Sequence, residues 1–126
     1  MDVSAVIVTT DELDDLKRTL PAAADALHGT PSEIVVVDNA SADGAADWVR
    51  DNHPGARVIR LETRSGLSVA RNAALRVAKS EFILMLDSDT AITAGTVAAL
   101  LRHMRTDKKA AMAGPRLTYP DGSFQP

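Results

Sequence analysis

The chain has 126 residues, of which 45% are hydrophobic and 25% charged, and a formal net charge of −3. This is the composition of one globular domain, and the absence of cysteine excludes a disulfide scaffold, a cysteine-ligated zinc site and a cysteine nucleophile. The acidic balance argues against nucleic-acid binding. No apolar run approaches the roughly 20 residues that span a bilayer, and the acidic start is unlike a secretory signal, so we expect a cytoplasmic protein.

In the first half of the chain, β-branched runs alternate with segments whose apolar residues recur at helical spacing. Pro21 lies inside the first helical segment and predicts a kink or a break there. Ser41 precedes the second helical segment and is predicted to cap it. The predicted elements are a strand at 3–8, a helix at 11–28, a strand at 33–37 and a helix at 45–52.

The second half of the chain continues the same alternation. In its first helix, Val69, Leu75 and Ala78 are expected to face the core, and Thr93 is expected to cap the last helix. The predicted elements are a half-exposed strand at 57–61, a helix at 68–79, a buried strand at 82–86, a helix at 94–104 and a weak strand at 110–113.

Strands that alternate with helices throughout predict one domain over residues 1–126, with a three-layer α/β/α fold and a mainly parallel sheet. In open sheets of this kind, ligands bind beyond the carboxyl ends of the strands. Polar residues follow three of the predicted strands, and we expect them to converge on one edge. They are Thr9, Thr10, Asp11, Asp38, Asn39, Asp87 and Asp89.

The most informative motif is Asp87-Ser88-Asp89, in which two carboxylates follow a hydrophobic strand with one residue between them. Like charges at a sheet edge repel each other. A hard divalent cation such as Mg²⁺ or Mn²⁺ offsets that repulsion, and it prefers carboxylate and phosphate oxygens. The motif therefore predicts a metal and phosphate site. The alternative is a turn, which aspartates after a strand also form.

Two further parts of the sequence favour the binding of a nucleotide. Asp38 and Asn39 follow the second strand, where Asp38 could accept hydrogen bonds from a base or ribose; a local turn is the alternative. Arg71 lies near the start of a helix that follows a glycine-containing loop, and it could reach a phosphate or a base edge. A solvated helix arginine is the alternative for Arg71, and it is the interpretation preferred for Arg64 and Arg76.

Together these residues resemble glycosyltransferase family 2, whose members are inverting nucleotide-sugar transferases of the GT-A fold. Four motifs occur in the family's order and spacing, and a later segment looks like the rhamnosyltransferase-type branch. The resemblance implies the Rossmann-like, nucleotide-binding half of a GT-A fold. The matching segments are Val6-Ile7-Val8-Thr9, 35–44, 66–72 and 82–89, followed by 114–123 for the branch.

The resemblance implies a role for each position that matches. Thr9, Thr10 and Asp11 would line the pocket for the base and ribose of the donor. Asp38 would contact the base, with Asn39 beside it in the donor site.

The other matching positions would hold the diphosphate side of the donor. Arg71 would hold the base or the diphosphate, and Ser88 would line the same site. Asp87 would face the ribose and the metal, and Asp89 would ligate Mg²⁺ or Mn²⁺ at the diphosphate.

The same resemblance implies partners and an extent. The donor would be a UDP- or dTDP-sugar, and the acceptor a glycan or lipid-linked sugar in polysaccharide or cell-wall biosynthesis, with peripheral membrane association of the full-length enzyme. Because family members are longer, residues 1–126 would be the donor-binding part, with the acceptor site and the general base beyond Pro126. We therefore expect weak nucleotide binding and little or no transfer by these residues alone.

Other classes of protein remain as alternatives. A nucleotide-binding module without catalysis fits the same motifs. A haloacid-dehalogenase-like phosphatase would use Asp87 as its nucleophile, but it needs more chain downstream and leaves Asp38 and Arg71 unexplained. A receiver domain needs an aspartate after the third strand, where Glu62 and Thr63 stand. Rossmann oxidoreductases and P-loop hydrolases need a glycine-rich phosphate loop that this chain lacks.

Overall fold

Four parallel strands form the sheet of the computed structural model, which describes residues 1–126. The strand order across the sheet is β3-β2-β1-β4. This confirms the parallel α/β fold predicted from the alternation of elements. The strands are β1 (Val3–Thr9), β2 (Ser32–Asp38), β3 (Arg57–Arg60) and β4 (Phe82–Asp87). The helices are α1 (Leu13–Ala26), α2 (Ala45–Asn52), α3 (Leu67–Leu75) and α4 (Ala94–Thr106).

The helices cover both faces of the sheet. Helices α1, α2 and α4 pack on one face, against side chains such as Ile7 of β1 and Val36 of β2. Helix α3 packs on the other face, where Ala70 and Ala74 lie against the valines of β1 and β2. The small alanine side chains let α3 approach the sheet closely. None of the helices is long and apolar enough to cross a membrane.

The register brings the strand ends together. Thr9 of β1 lies opposite Asp38 of β2, and Val8 lies opposite Asp87 of β4. All four strands run in the same direction, so these residues share the carboxyl edge of the sheet. The expected convergence of the polar strand ends on one edge is therefore confirmed at the level of the backbone.

The predicted inner face of α3 was wrong. Ala70 and Ala74 are fully buried, whereas Val69 is 54% exposed and Leu75 is 37% exposed. The helix also ends at Leu75 rather than at residue 79. A residue is buried only where the rest of the chain covers it, and the sheet lies against the alanine face.

Strand β4 is also predicted to be fully buried, but in the structure it is an edge strand with one uncovered face. Partly buried and exposed residues alternate along it, and Ile83 and Met85 point to the exposed side. Helix α3 lies over β1 and β2 and leaves this side uncovered. The hydrophobic run indicates a strand correctly, but its two faces have different surroundings.

Three smaller predictions also differ from the structure. Helix α1 continues through Pro21 without a break. Helix α2 begins after Gly44, and Ser41 does not cap it. No strand forms at 110–113, because that segment has no neighbouring strand to pair with. The cap at Thr93 is confirmed, since its hydroxyl accepts a hydrogen bond from the backbone N–H of Thr96.

Candidate donor site at the carboxyl edge of the sheet

The loop after β4 presents two carboxylates to solvent. Asp87 is the last residue of β4 and its side chain is 63% exposed; Asp89 is exposed as well. The Arg71 side chain, from the second turn of α3, donates a hydrogen bond to Oδ1 of Asp87 over 3.1 Å. A cationic donor and two anionic acceptors are therefore adjacent at this end of the sheet.

Ser88, between the two aspartates, turns inward and is buried. Its hydroxyl donates to the carboxylate of Glu12, and its carbonyl oxygen accepts a hydrogen bond of 2.6 Å from the hydroxyl of Thr19. Thr90 closes the turn, because its N–H and its hydroxyl both donate to the carbonyl oxygen of Asp87, over 3.3 and 2.8 Å. The backbone of the loop is thus held from inside while both carboxylates face out.

Asp38 lies at the same edge but is fully buried. Arg60, at the end of β3, donates to Oδ2 of Asp38 over 2.6 Å, and the N–H of Ser41 donates to Oδ1 over 2.9 Å. The guanidinium of Arg60 also bonds the carbonyl of Ser41 and is about half exposed. The charge of Asp38 is therefore neutralised inside the protein, with Arg60 between it and solvent.

Asn39 fixes the loop that precedes α3. Its amide nitrogen donates to the carbonyl of Ser65 over 2.8 Å, and its amide oxygen accepts from the N–H of Ser65 over 2.9 Å. This pair of hydrogen bonds resembles the pairing of two backbone strands and holds Ser65 next to Gly66, the residue immediately before α3. Asn39 thereby connects the Asp38 loop to the helix that carries Arg71.

Asp11, in the loop after β1, forms an ion pair with Arg64, in the loop after β3. Its Oδ1 also accepts a hydrogen bond from the N–H of Ala42. The N–H of Ala42 and then the guanidinium of Arg64 hold the pKa of Asp11 below its ordinary value of 3.8. Asp11 has a φ of 52°, a left-handed conformation that aspartate adopts more readily than most residues.

The two threonines after β1 differ in their surroundings. Thr9 is 1% exposed, and its hydroxyl is buried without a hydrogen-bond partner. Thr10 is partly exposed at the start of the loop that carries Asp11. Both residues lie between the Asp38 loop and the Asp87 loop, as the register requires.

The candidate site therefore has two ends on one edge of the sheet. Asp38 and Asp87 stand on strands separated by β1, which places their backbones about 10 Å apart at the usual strand spacing. Their side chains leave opposite faces of the sheet: Asp38 pairs in register with Thr9, and Asp87 with Val8, one residue earlier. A ligand that uses both ends has to lie across the strand tips.

The donor set after β4 fits a hard divalent cation. Asp87 and Asp89 supply exposed carboxylate oxygens, which Mg²⁺ and Mn²⁺ prefer. No group of three or more histidine, cysteine or acidic side chains is arranged to hold a metal by itself. The remaining ligand positions of such a cation suit phosphate oxygens and water.

Sequence reasoning missed several residues of this edge. Arg60 and Arg64 pair with the candidate aspartates, although Arg64 had been interpreted as solvated. The contribution of Arg60 to this edge could be predicted, because Arg60 lies near the end of a predicted strand and the strand ends share this edge. Thr19 also carried a signal, since its hydroxyl interrupts the apolar stripe of α1 between Leu16 and Ala23.

In an open parallel α/β sheet such as this one, the carboxyl ends of the strands form the usual ligand-binding edge, and here that edge carries aspartates and arginines. The family model described as glycosyl transferase family 2 matches residues 4–126 of the chain. The chain belongs to this family. The match removes the phosphatase, receiver, Rossmann and P-loop alternatives.

The chain is also similar to curated proteins with names. The succinoglycan biosynthesis protein ExoO of Rhizobium meliloti is 35% identical over 92 residues, which are 72% of this chain and 26% of that protein. The chain therefore spans about a quarter of the length of ExoO. The name of ExoO does not specify a rhamnosyltransferase. Membership of the rhamnosyltransferase-type branch, expected from residues 114–123, therefore stays a prediction.

Two solved structures have the same fold and carry donor nucleotides. The first is TarS 1-349 of S. aureus in complex with UDP-GlcNAc, with a TM-score of 0.72 and 31% identity over 83% of this chain and 31% of that one. The second is the mannosyltransferase PcManGT of Pyrobaculum calidifontis in complex with GDP-Man and Mn²⁺, with a TM-score of 0.72 and 27% identity over 83% and 32% of the two chains. PcManGT is named as a mannosyltransferase, and the similarity to both structures confirms the GT-A type of fold.

Proposed function

We propose that this chain is the donor-binding part of a glycosyltransferase and binds a nucleoside-diphosphate sugar along the carboxyl edge of its sheet. The observation that carries the proposal is the exposed pair Asp87 and Asp89 with Arg71 beside it, in a chain of this family. The donor is a UDP- or dTDP-sugar, with Mg²⁺ or Mn²⁺ at the two aspartates.

Each end of the edge has a part in this proposal. The base and ribose lie near Asp38, Asn39 and the loop of Thr9 to Asp11, and the diphosphate lies near Arg71. Arg71 offers several N–H donors to phosphate oxygens and balances their charge. Asp87 and Asp89 would hold the cation, which would supply Lewis-acid stabilisation of charge on the leaving diphosphate.

Sugar transfer also needs a general base within hydrogen-bond reach of the acceptor hydroxyl. The acidic residues that follow α4 are engaged in local turns: Asp107 accepts from the N–H of Lys109, and Asp121 from Ser123. We propose that the base and the acceptor site lie outside residues 1–126. The acceptor, a glycan or lipid-linked sugar, and a peripheral, cytoplasmic position at a membrane belong to the same proposal.

Calorimetric titration of UDP and dTDP, with and without Mn²⁺, tests donor binding. Mn²⁺ is expected to strengthen binding of at least one nucleotide. Asp89→Asn is expected to weaken binding in the presence of Mn²⁺ by about 10- to 150-fold, since a charge-assisted contact contributes about 1.5–3 kcal/mol. Asp107→Asn is the matched control and is expected to bind like the wild type.

Three outcomes separate the possibilities. Failure of both nucleotides to bind contradicts the proposed function. Nucleotide binding that is unaffected by Mn²⁺ and by Asp89→Asn contradicts the metal role alone. Binding without sugar transfer by a full-length enzyme favours the non-catalytic nucleotide-binding module.

A further inference from the structure

Thr19 of α1 is a hydroxyl in an apolar setting. It is 4% exposed and lies on the same helix face as Leu16, Leu20 and Ala23, which are fully buried. A threonine in a helix interior forms helix less readily than leucine or alanine. Its hydroxyl does not turn back to its own helix; it donates 2.6 Å across to the carbonyl oxygen of Ser88.

That hydrogen bond acts on the loop that carries the two exposed aspartates. The Ser88 carbonyl is a buried acceptor, and leaving such a group without a partner is unfavourable. Ser88 is held a second time through its hydroxyl, by the carboxylate of Glu12 immediately before α1. Ser88, in the middle of the turn, is thus held by hydrogen bonds to Glu12, just before α1, and to Thr19, in the second turn of α1.

Fastening the middle residue orients its two neighbours. With Ser88 drawn inward and Thr90 bonded to the carbonyl of Asp87, the side chains of Asp87 and Asp89 have to leave the turn on its outer side. Metal ligands are commonly held in this way by an outer layer of hydrogen bonds, whose loss typically weakens metal affinity by about 10- to 100-fold.

We infer that Thr19 is a positioning residue for the Asp87 and Asp89 carboxylates and that it sets the metal dependence of nucleotide binding without touching metal or nucleotide. This inference rests on the proposed function, because it concerns the same cation at the same loop. It adds a residue of α1, remote from the surface, to the group that determines cation affinity.

Two variants of Thr19 separate the hydrogen bond from the packing. Thr19→Val keeps the shape and loses the donor, and Thr19→Ser keeps the donor and loses a methyl group. Titration of UDP in the presence of increasing Mn²⁺ is expected to show about tenfold weaker dependence on Mn²⁺ for Thr19→Val. Metal-free UDP binding is expected to be unchanged, and Thr19→Ser is expected to restore the wild-type dependence.

Two controls account for general loss of stability. Leu27→Ala removes a buried side chain where α1 ends, against Val3 at the opposite edge of the sheet, so it destabilises the fold without touching the loop. Thr106→Val removes an exposed hydroxyl from α4. Both controls are expected to keep the wild-type dependence on Mn²⁺.

Amide hydrogen exchange tests the positioning without any ligand. The N–H of Thr90 donates to the Asp87 carbonyl, and its exchange is expected to accelerate in Thr19→Val but not in Thr19→Ser. Unchanged exchange of Thr90, or a loosened loop with unchanged Mn²⁺ dependence, overturns the inference. Wild-type protein that binds no nucleotide with Mn²⁺ instead overturns the proposed function and, with it, the metal role of Thr19, while hydrogen exchange still reports whether Thr19 orders the loop.

Discussion

Asp38 is the one charged residue among the buried residues of this protein, and both of its oxygens are engaged by donors of the chain itself. A buried carboxylate is tolerated when it is paired and hydrogen-bonded. Here the partners are Arg60 and the N–H of Ser41, so the pair closes one end of the candidate donor site. A ligand that approaches this end meets the exposed side of Arg60 before it meets Asp38.

Asp38→Asn is expected to lower the free energy of unfolding by about 1–3 kcal/mol, because the amide replaces a charged acceptor and leaves Arg60 without its counter-ion. Urea denaturation measures the change. Asp47→Asn is the matched control, since Asp47 pairs with Arg50 on the exposed surface of α2 and its loss is expected to matter by less than about 0.5 kcal/mol. Equal effects of the two substitutions would contradict the importance of burial.

At the scale of residues, the sequence predicts which edge the candidate residues share and points to Arg60 at the end of β3, but it does not predict that Arg64 pairs with Asp11. Parallel strands align their carboxyl ends, which is enough to bring Asp38 and Asp87 to one edge. The partners Arg60 and Arg64 come from β3 and the loop after it. Which donor reaches which carboxylate depends on the path of that loop, which periodicity does not encode.

At the scale of elements, the opposite edge of the sheet is held by a polar contact as well. Glu33 of β2 accepts from the hydroxyl of Ser4 in β1 over 2.6 Å and from the N–H of Lys79 over 2.7 Å. These contacts tie the segment after α3 to the amino ends of two strands. The hydroxyl of Ser4, and then the N–H of Lys79, lower the pKa of Glu33 from its ordinary value of 4.5.

This shift has a defined consequence for stability against pH. Because the folded-state pKa of Glu33 is depressed, its stabilising contribution is present above pH 4.5 and is lost as the pH falls through the folded-state pKa. Glu33→Gln is therefore expected to melt at a lower temperature than wild type near pH 7 and to approach wild type near pH 3. Thermal melts at both pH values measure the difference.

Glu81→Gln serves as the control, because Glu81 is exposed just before β4. Its melting temperature is expected to follow wild type at both pH values. A difference between Glu33→Gln and wild type that persists unchanged into acid would contradict the role of the Glu33 carboxylate.

Element types were predictable from periodicity, but helix orientation was not. Around α3, one apolar stripe contains Ala70 and Ala74 and another contains Val69, and hydrophobicity alone favours the larger side chains. The sheet selects the alanines because they allow a close approach. Likewise, residues 110–113 have the composition of a strand but no partner strand with which to exchange backbone hydrogen bonds.

At the scale of the whole molecule, the sheet is asymmetric. Strand β4 pairs with β1 on one side only, and its outer edge has no neighbouring strand within residues 1–126. Ile83 and Met85 are 38% and 46% exposed on the face that α3 leaves uncovered. An open edge beside exposed apolar side chains favours pairing with a second copy of the chain.

Sedimentation velocity over a range of concentrations tests this tendency. The wild-type chain is expected to associate as concentration rises, and Met85→Lys is expected to reduce association, because a lysine on an edge strand opposes pairing. Met112→Lys is the control, since Met112 is 89% exposed outside the sheet. A wild-type chain that sediments as a monomer throughout would contradict the expectation.

The alanines of α3 have a consequence for altering the site by mutation. Ala70 and Ala74 act as thin spacers between the helix and the sheet, and Arg71 follows the first of them. The distance between α3 and the sheet, which these alanines determine, sets the position of the Arg71 guanidinium relative to the end of β4. The core volume beneath α3 and the placement of Arg71 beside Asp87 are therefore coupled, so a larger side chain at either alanine is expected to move this guanidinium away from that carboxylate.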